Sequence, residues 1–418
     1  MPVVLQMVLI GMAVVALLGV VLEDVIHINK AKVTLFLGTI SWLLLFVFHG
    51  NGADGEKVME GFQENISEIA GLWLFLVSAM TFVAYLNKKG MIENLIYLFL
   101  PKRISERSLL FLTAIFCFVF SSLADNITAT LVSVTLILSL NLSRKKTIRF
   151  ATLVVFSVNS GGVALITGDV TTLMIFLAEK VSIIDLLLLS IPAFIAVLVL
   201  TCMQARGMNE MVEVQIHRTD VRKVDIAIAV VFLTTIIGTI IGNVLFNIPP
   251  VLTFLFGMSS MFLIARFFNE DIEADPILEY IRVIEFETLL FFLGILLLVG
   301  MLKEIDVLDS FVQLYEVLPP FAASYLMGIL SAAIDNVPLT AALLKAGIVM
   351  SSADWLALTY AVGVGGSLLV IGSAAGIVAM SKVDGLTFGS YSRYSFALLI
   401  SYTIGYAIVY YISSVVIS

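Results

Sequence analysis

The stretch that decides the fold is Ser121-Ser122-Leu123-Ala124-Asp125-Asn126-Ile127-Thr128-Ala129-Thr130. It returns 210 positions later as Ser331-Ala332-Ala333-Ile334-Asp335-Asn336-Val337-Pro338-Leu339-Thr340, with the first Ser, the Asp-Asn pair and the last Thr in register. Each copy lies at the polar centre of an apolar stretch, at about residues 108–141 and 319–350. Because an internal repeat sets the architecture of a chain, we expect two related halves.

A second pair of polar blocks follows, and glycine interrupts both. Asn159-Ser160-Gly161-Gly162 with Thr167-Gly168-Asp169-Val170-Thr171-Thr172 corresponds to Val364-Gly365-Gly366-Ser367 with Ile371-Gly372-Ser373-Ala374-Ala375-Gly376. Glycine permits a helix to break, and a broken membrane helix turns its free carbonyl and amide groups toward a cavity. The predicted helix-break residues are Ser160, Gly161, Gly162, Gly168, Gly365, Gly366, Ser367, Gly372 and Ser373. Asp169 aligns with Ser373, so only the first half supplies a third carboxylate.

The composition places the chain in a lipid bilayer. Residues of the set AVILMFWYC make up 60% of the sequence, 13% of the residues are charged, and the mean hydropathy is +1.09. A soluble protein keeps much of its surface in water and cannot hide so much apolar surface. Continuous apolar runs, rather than alternating ones, exclude a transmembrane β-barrel. We therefore predict an all-α polytopic membrane protein.

Ten segments are long and apolar enough to cross ~30 Å of hydrocarbon as helices. They cover about residues 3–22, 32–48, 69–87, 150–179, 183–205, 224–246, 250–268, 286–302, 355–382 and 392–416. The polar-centred stretches 108–141 and 319–350 are either pairs of full spans or re-entrant hairpins. Both alternatives return the chain to the side that it left.

The basic residues orient the chain, because Lys and Arg concentrate on the cytoplasmic side of membrane proteins. With the N-terminus outside, all but four of the 23 basic residues lie inside, the exceptions being Lys57, Lys180, Lys303 and Lys345. We expect both termini outside a bacterial-type inner membrane. The crossing at 69–87 and its counterpart at 286–302 then run in opposite directions. The repeats are therefore inverted, as in many secondary transporters whose substrate sites form between the repeats.

The repeats predict four regions along the chain. They are N-terminal scaffold helices (1–48), the first inverted repeat (49–205), a linker with scaffold helices (206–268) and the second inverted repeat (269–418). The first repeat holds the hairpin stretch 108–141 and the broken helix 150–179, and the second holds 319–350 and 355–382. The acidic stretch from Asp54 to Glu68 is expected as an outer loop.

The paired aspartates predict a cation and proton site. A carboxylate near the bilayer centre costs about 2.5–3.5 kcal/mol by insertion measurements, so Asp125 and Asp335 call for a cation or a proton. Hard cations such as Na⁺ prefer oxygen ligands. The predicted cation- and proton-binding residues are Asp125, Asn126, Thr128, Asp169, Thr171, Thr172, Asp335, Asn336 and Thr340. Na⁺ itself is assigned to Asp125, Asn126, Asp335 and Asn336.

An Asp-Asn pair is also an ordinary turn signal. Its recurrence in both halves, each time before a glycine-rich block, favours a binding site over a turn. The two cysteines, Cys117 and Cys202, and three single histidines form no metal motif. No Walker motif is present, which disfavours ATP-driven pumping. We expect no cofactor beyond the transported Na⁺ and H⁺, and no nucleic-acid partner.

At these motifs the sequence resembles the NhaD-type sodium/proton antiporters of the larger ion-transporter superfamily. The resemblance runs from Asp24-Val25-Ile26-His27-Ile28-Asn29-Lys30-Ala31 to the last span, and its most specific parts are the two Asp-Asn blocks and the two glycine-rich blocks. It implies two re-entrant hairpins, two broken helices and a homodimer with separate scaffold and transport regions. It also implies Na⁺ or Li⁺ exchange for protons. Ile127 and Val337 replace the larger or more polar residues that follow the Asn in comparable members, which leaves the choice between Na⁺ and Li⁺ open.

Other functions fit these residues less well. A Na⁺-coupled dicarboxylate carrier of the same superfamily would place carboxylates beside its own anion, where they repel. An arsenite or silicate efflux carrier has no need of two matched carboxylates, yet it remains the main alternative. An intramembrane aspartyl protease carries Tyr-Asp and Gly-x-Gly-Asp, whereas Ala124 precedes Asp125 and Ile166 stands at the first Gly position. A channel is disfavoured by three carboxylates in broken helices. The chain is thus not expected to be an enzyme.

Overall fold

A computed structural model describes residues 3–21, 23, 28–49, 53–140, 142–214, 219–267 and 284–416. Residues 24–27 of the segment where the family resemblance begins lie outside these ranges, as do residues 215–218 of the predicted linker and residues 268–283. Among the described residues, nine helices are long and apolar enough to cross a membrane. The prediction of an all-α polytopic membrane protein is therefore confirmed.

Three long helices and one short helix open the chain. They are α1 (Val3–Val21), α2 (Lys30–His49), α3 (Ala53–Lys88) and α4 (Met91–Phe99). We name the two sides of the molecule after the ends of α3. The acidic side carries Glu64 and Glu68, and the basic side carries Lys88.

The predicted outer loop at 54–68 is wrong, because these residues form the first half of the 36-residue helix α3. Two of the carboxylates there have partners on other helices. Glu64 forms an ion pair with Lys303 at 3.2 Å, and Glu68 forms one with Lys345. An acidic segment that is paired in this way continues as a helix rather than as a solvated loop.

The first half continues with a strand and four helices. They are β1 (Arg103–Ser105), α5 (Glu106–Leu123), α6 (Asn126–Ser139), α7 (Arg144–Gly162) and α8 (Val170–Leu177). The outer ends of α5 and α6 lie on the basic side, where Ser139 and Tyr97 of α4 line one small cavity. α7 begins there too, since Lys146 Nζ is 2.5 Å from Glu106 Oε1. α8 ends on the acidic side, near Glu68.

A strand and four helices connect the halves and begin the second. They are α9 (Ile183–Gln204), β2 (Met211–Glu213), α10 (Lys223–Phe246), α11 (Pro250–Phe267) and α12 (Phe286–Glu304). β2 pairs antiparallel with β1, and this ribbon is the one sheet of the described ranges. α12 lies between α2 and α3. The indole N–H of Trp42 donates to Leu297 O at 2.8 Å, and that of Trp73 donates to Leu289 O at 3.0 Å.

Seven helices complete the chain. They are α13 (Asp309–Val317), α14 (Pro320–Ser331), α15 (Asn336–Lys345), α16 (Ser352–Gly365), α17 (Ala374–Lys382), α18 (Phe388–Ser392) and α19 (Ser395–Val416). α15 ends on the acidic side, where Lys345 pairs with Glu68. The segment after α17 lies on the basic side, since Gly385 contacts Arg144. α14 and α15 have 12 and 10 residues. At ~1.5 Å per residue, neither helix spans ~30 Å of hydrocarbon.

The nine long helices correspond closely to the ten predicted crossings. The segments 150–179 and 355–382 are absent from the nine because each is interrupted, between Gly162 and Val170 and between Gly365 and Ala374. The added helix is α5, one arm of the first hairpin stretch. The interruptions fall at the predicted glycine-rich blocks.

The two halves repeat the same contact between hairpin and broken helix. Ser121 Oγ donates to Val158 O at 2.8 Å, and Ser331 Oγ donates to Val362 O at 2.8 Å. These serines occupy equivalent positions in the repeated sequence. Each half thus bonds its hairpin arm to the helix before the break through an equivalent serine hydroxyl.

We predict that Gly161→Ala destabilises the protein by ~1–3 kcal/mol, because small-to-large changes in a packed interior force the backbone to move. A Cβ on Gly161 would overlap the backbone of Phe118, so α5 and α7 would have to separate. Thermal unfolding of the detergent-solubilised protein, followed by size-exclusion chromatography, measures the effect. The control is Gly238→Ala, since that glycine has no atom within 4 Å of its Cβ position. Equal unfolding temperatures for the two variants would contradict the prediction.

Candidate functional site

Four short helices begin at one interior cavity of about 70 Å³. They are α6, α8, α15 and α17, and their N-cap residues are Asp125, Asp169, Asp335 and Ser373. All four caps line the cavity. A helix N-terminus has free N–H groups and the positive end of the helix dipole, and both stabilise an anionic side chain. The fold therefore gathers three carboxylates where four positive helix ends meet.

Asp125 is held by the first turn of α6. Thr128 donates twice, from its N–H to Oδ1 at 2.9 Å and from its hydroxyl to Oδ2 at 2.7 Å. Thr128 is not among the cavity-lining residues, so its hydroxyl supports the carboxylate from behind. The predicted ligand Thr128 is thus placed as a partner of Asp125.

Asp335 caps α15 in the same way. Its Oδ1 accepts from Val337 N at 3.1 Å. Pro338 follows in the first turn, where its missing N–H leaves no hydrogen bond unmade. The side chain of Asp335 is buried. The other carboxylate oxygen remains available to the cavity.

Asp169 connects the two halves. Its Oδ1 accepts from Thr171 N at 3.3 Å, and its Oδ2 accepts from the side-chain amide of Asn336 at 3.1 Å. Asp169 lies in the break of the first half, whereas Asn336 begins α15 of the second. The structure thus brings the third carboxylate, which only one half supplies, to the Asp-Asn pair of the other half.

Asn126 is oriented by the neighbouring hairpin arm and by the break. The Ser121 hydroxyl, which donates to Val158 O, lies 2.7 Å from Asn126 Oδ1. Gly162 lies close by, and a Cβ there would overlap Asn126 Oδ1 and approach Asp169. Gly168 packs equally closely on the Ser121 carbonyl. Glycine at these two positions permits Asn126 and Asp169 to approach each other.

The remaining predicted break residues lie around the two interruptions. Gly161 packs on the backbone of α5, and Gly365 packs on Gly328 of α14. Gly366 and Gly372 contact each other across the second break. The hydroxyl of Ser367 donates to Val364 O at 2.6 Å. These residues shape the breaks and, unlike Gly168 and Ser373, do not line the cavity.

The predicted threonine ligands have different surroundings. Thr172 Oγ1 donates to Gly162 O at 3.3 Å, and Thr340 Oγ1 donates to Asn336 O at 2.8 Å. Both hydroxyls therefore support backbone at the site, and neither residue lines the cavity. The hydroxyls of Thr171 and Ser160 are buried without a partner among the described residues.

A second cavity of about 270 Å³ lies on the acidic side. Four helices line both cavities with residues one turn apart. The first cavity is lined by Leu76 of α3, Val170 of α8, Phe292 of α12 and Val337 of α15. On the same four helices, in the same order, the second cavity is lined by Leu72, Met174, Leu296 and Ala341. One helical turn rises ~5.4 Å. A thin apolar layer thus separates the carboxylates from a cavity that Glu68 and Lys345 also line.

The sequence matches a known transporter family over most of its length. A sequence profile of the family described as citrate transporter, CitMHS, matches residues 3–365. The chain belongs to the CitMHS family. It is also similar to Na⁺/H⁺ antiporter NhaD of Alkalimonas amylolytica, with 29% identity over 96% of this chain and 89% of that protein. NhaD of Vibrio cholerae is 27% identical over 92% and 87%, and sodium/proton antiporter 2 of Arabidopsis thaliana is 26% identical over 89% and 94%.

Some polar residues of this CitMHS member reach the site although they were not among the predicted ligands, and Lys30 and Asn159 are two of them. Lys30 lines the cavity, with its Nζ 3.9 Å from Asp335 Oδ2. Asn159 donates from Nδ2 to Ser373 Oγ at 3.0 Å, and its Oδ1 is buried without a partner in the described ranges. Asn159 could have been found from its place in the first glycine-rich block. Lys30 stood in the sequence as a basic residue near a helix end, within the segment where the family resemblance begins.

We predict that Thr128→Val raises the Na⁺ concentration for half-maximal transport about tenfold, the loss expected for one hydrogen bond to a charged group. Valine keeps the shape of Thr128 and removes the hydroxyl that fixes Asp125. Na⁺-dependent transport in membrane vesicles measures the shift. Thr135→Val is the matched control. Thr135 is exposed on the same helix, and its hydroxyl donates to Leu131 O one turn earlier in that helix. Identical shifts in the two variants would contradict the role of Thr128.

Proposed function

We propose that the chain is a secondary Na⁺/H⁺ antiporter in which Na⁺ and protons compete for the same buried carboxylates. The observation that carries this proposal is the convergence of Asp125, Asp169 and Asp335 on one small cavity. Occupancy by one ion excludes the other, so exchange needs no separate coupling device. Li⁺ is expected to replace Na⁺, since both are hard cations that prefer oxygen ligands. Such exchange serves Na⁺ and pH homeostasis.

The lining chemistry fits a small cation. Carboxylate oxygens of the three aspartates and the amide oxygens of Asn126 and Asn336 are the ligand types that hard cations prefer. The cavity of about 70 Å³ has room for a small cation together with a few water molecules. We propose that Na⁺ binds at Asp125, Asn126, Asp335 and Asn336, with Asp169 as a further proton acceptor.

Citrate fits the same cavity poorly, although the family is described by that substrate. Three aspartates would face the carboxylates of citrate, and Lys30 is the single basic residue among the described residues of the lining. Like charges at short range repel strongly in a low-dielectric interior. The cavity is also small for an organic acid. The names of the NhaD relatives agree with a cation as the transported ion. Transport of neutral arsenite or silicate would not require three carboxylates at the site.

The two cavities support alternating access. In this structure Lys30 and Thr288 lie at the basic-side end of the site, and the second cavity reaches toward it from the acidic side. We propose that residues 49–205 and 269–418 act as inverted repeats, with re-entrant hairpins α5–α6 and α14–α15 and with scaffold helices at 1–48 and 206–268. Rocking of the hairpins across the thin apolar layer then exposes the carboxylates to each side in turn.

The basic side is proposed to face the cytoplasm of a bacterial-type inner membrane, because Lys and Arg concentrate on that side. Both termini then lie outside. α10 and α11 present exposed apolar side chains such as Ile237, Phe256 and Leu263. These surfaces suit contact with lipid or with a second copy, in keeping with the homodimer that the family resemblance implies.

We predict that Na⁺ or Li⁺ added to energised everted vesicles collapses the proton gradient, whereas K⁺, arsenite and citrate do not. Dequenching of a pH-sensitive dye measures this exchange. Activity should rise with pH, because fewer protons compete with Na⁺ for the carboxylates. Asp125→Asn should abolish the signal by removing one of the shared carboxylates.

The control is Asp384→Asn, which removes an exposed carboxylate after α17 and should leave exchange intact. Wild-type exchange in Asp125→Asn vesicles would refute the site. Na⁺-dependent uptake of labelled citrate by intact cells, with no dye response to Na⁺, would refute the exchange function and favour an organic-anion carrier.

A further inference from the structure

A lysine lies in the cavity among the carboxylates. Lys30 is the first residue of α2, and its Nζ is 3.9 Å from Asp335 Oδ2 and 4.8 Å from the centre of the Phe291 ring. The side chain of Lys30 is 18% exposed, and that of Asp335 is 6% exposed. An ammonium group is attracted both by a carboxylate and by the face of an aromatic ring. Lys30 is thus held as a cation beside one of the proposed Na⁺ ligands.

The start of α2 fixes the position of this lysine. Asn29 Oδ1 accepts from Ala31 N at 2.9 Å, and Asn29 Nδ2 donates to Glu287 Oε2 at 2.7 Å. These bonds fasten the beginning of α2 to the beginning of α12. Asp335, in contrast, caps α15 of the second hairpin. The ion pair therefore joins the α2–α12 pair to an element that the proposed transport cycle moves.

Lys30 and Asp335 lie close together but do not form a direct hydrogen bond. Charge-assisted hydrogen bonds between nitrogen and oxygen are ~2.7–2.9 Å long. The 3.9 Å separation between Lys30 Nζ and Asp335 Oδ2 is longer, and Asp335 Oδ1 is already bonded to Val337 N. One oxygen of Asp335 is thus shared between a nearby ammonium and the cavity. A mobile cation that binds Asp335 Oδ2 would therefore compete with the Lys30 ammonium for this oxygen.

We propose that Lys30 is a tethered counter-cation, which neutralises Asp335 when no Na⁺ is bound and competes with Na⁺ for that carboxylate. This role rests on the proposed function. Two cations at one carboxylate oxygen repel, so binding of Na⁺ moves the ammonium away and release of Na⁺ returns it. Lys30 thereby lowers the affinity for Na⁺ and speeds its release. It is a positioning residue that acts through Asp335.

Opposite substitutions of Lys30 should shift Na⁺ affinity in opposite directions. Lys30→Met removes the charge and keeps an unbranched side chain, so the KM for Na⁺ should fall about three- to tenfold, with a lower kcat because release slows. Lys30→Arg keeps the charge and adds a planar fork that pairs with both oxygens of a carboxylate. Its stronger competition should raise the KM. Exchange by proteoliposomes at one fixed pH, together with ²²Na⁺ binding to the purified protein, measures both shifts.

The matched control is Lys32→Met, which removes an exposed charge from the same helix and should leave the KM unchanged. An unchanged or higher KM in Lys30→Met would overturn the role of Lys30. If that variant does not fold, Lys30→Arg decides, since an unchanged or lower KM there overturns it equally. A wild-type protein that neither binds nor exchanges Na⁺ would instead contradict the proposed function itself.

Discussion

The structure depends on placing carboxylates in a bilayer at the N-termini of short helices. A buried carboxylate needs donors or a counter-charge, and the free N–H groups and dipole of a helix N-terminus supply part of both. A helix that crosses the whole membrane has its N-terminus at the surface. Only helices that begin at mid-depth offer this environment to Asp125, Asp169 and Asp335. The hairpins and the broken helices are two ways of making such beginnings.

The glycines and serines of the repeats follow from the same constraint. Four helix ends converge only if the backbones approach closely, and Gly161 and Gly365 permit this at equivalent positions. One serine hydroxyl in each half also bonds the hairpin to the helix before the break, from Ser121 to Val158 O and from Ser331 to Val362 O. The halves are therefore alike in backbone. They differ in charge, because the first break carries Asp169 where the second carries Ser373.

The sequence alone was sufficient for much of this arrangement. The repeated Asp-Asn blocks and the glycine spacing predicted the membrane class, the positions of the interruptions and the three carboxylates. Contacts between distant parts were not predictable, because they depend on how helices pack. The bond from Asn336 to Asp169 and the approach of Lys30 to Asp335 are of this kind. The sequence indicated for Lys30 only a place among the basic residues of the inner side.

Helix α3 also shows that contacts between distant parts of the chain could not be predicted from the sequence. From the sequence alone, the acidic first half of this helix resembles a solvated loop. In the structure, two of its carboxylates pair with Lys303 and Lys345. These pairs lie on the side of the second cavity, where they join α3 to α12 and α15. Long-range ion pairs thus hold the acidic side together, whereas the site combines local caps with the long-range contacts of Asn336 with Asp169 and of Lys30 with Asp335. Caps that are made within each hairpin and break can stay intact in the proposed rocking of the hairpins.

The central claim is that one set of carboxylates serves both Na⁺ and protons. Calorimetric titration of the purified protein with Na⁺, in two buffers of different ionisation enthalpy, tests it most directly. The difference between the heats counts the protons that Na⁺ displaces. Binding of Na⁺ should release protons from the wild-type protein, and fewer or none from Asp125→Asn. Na⁺ binding without proton release in the wild-type protein would contradict it.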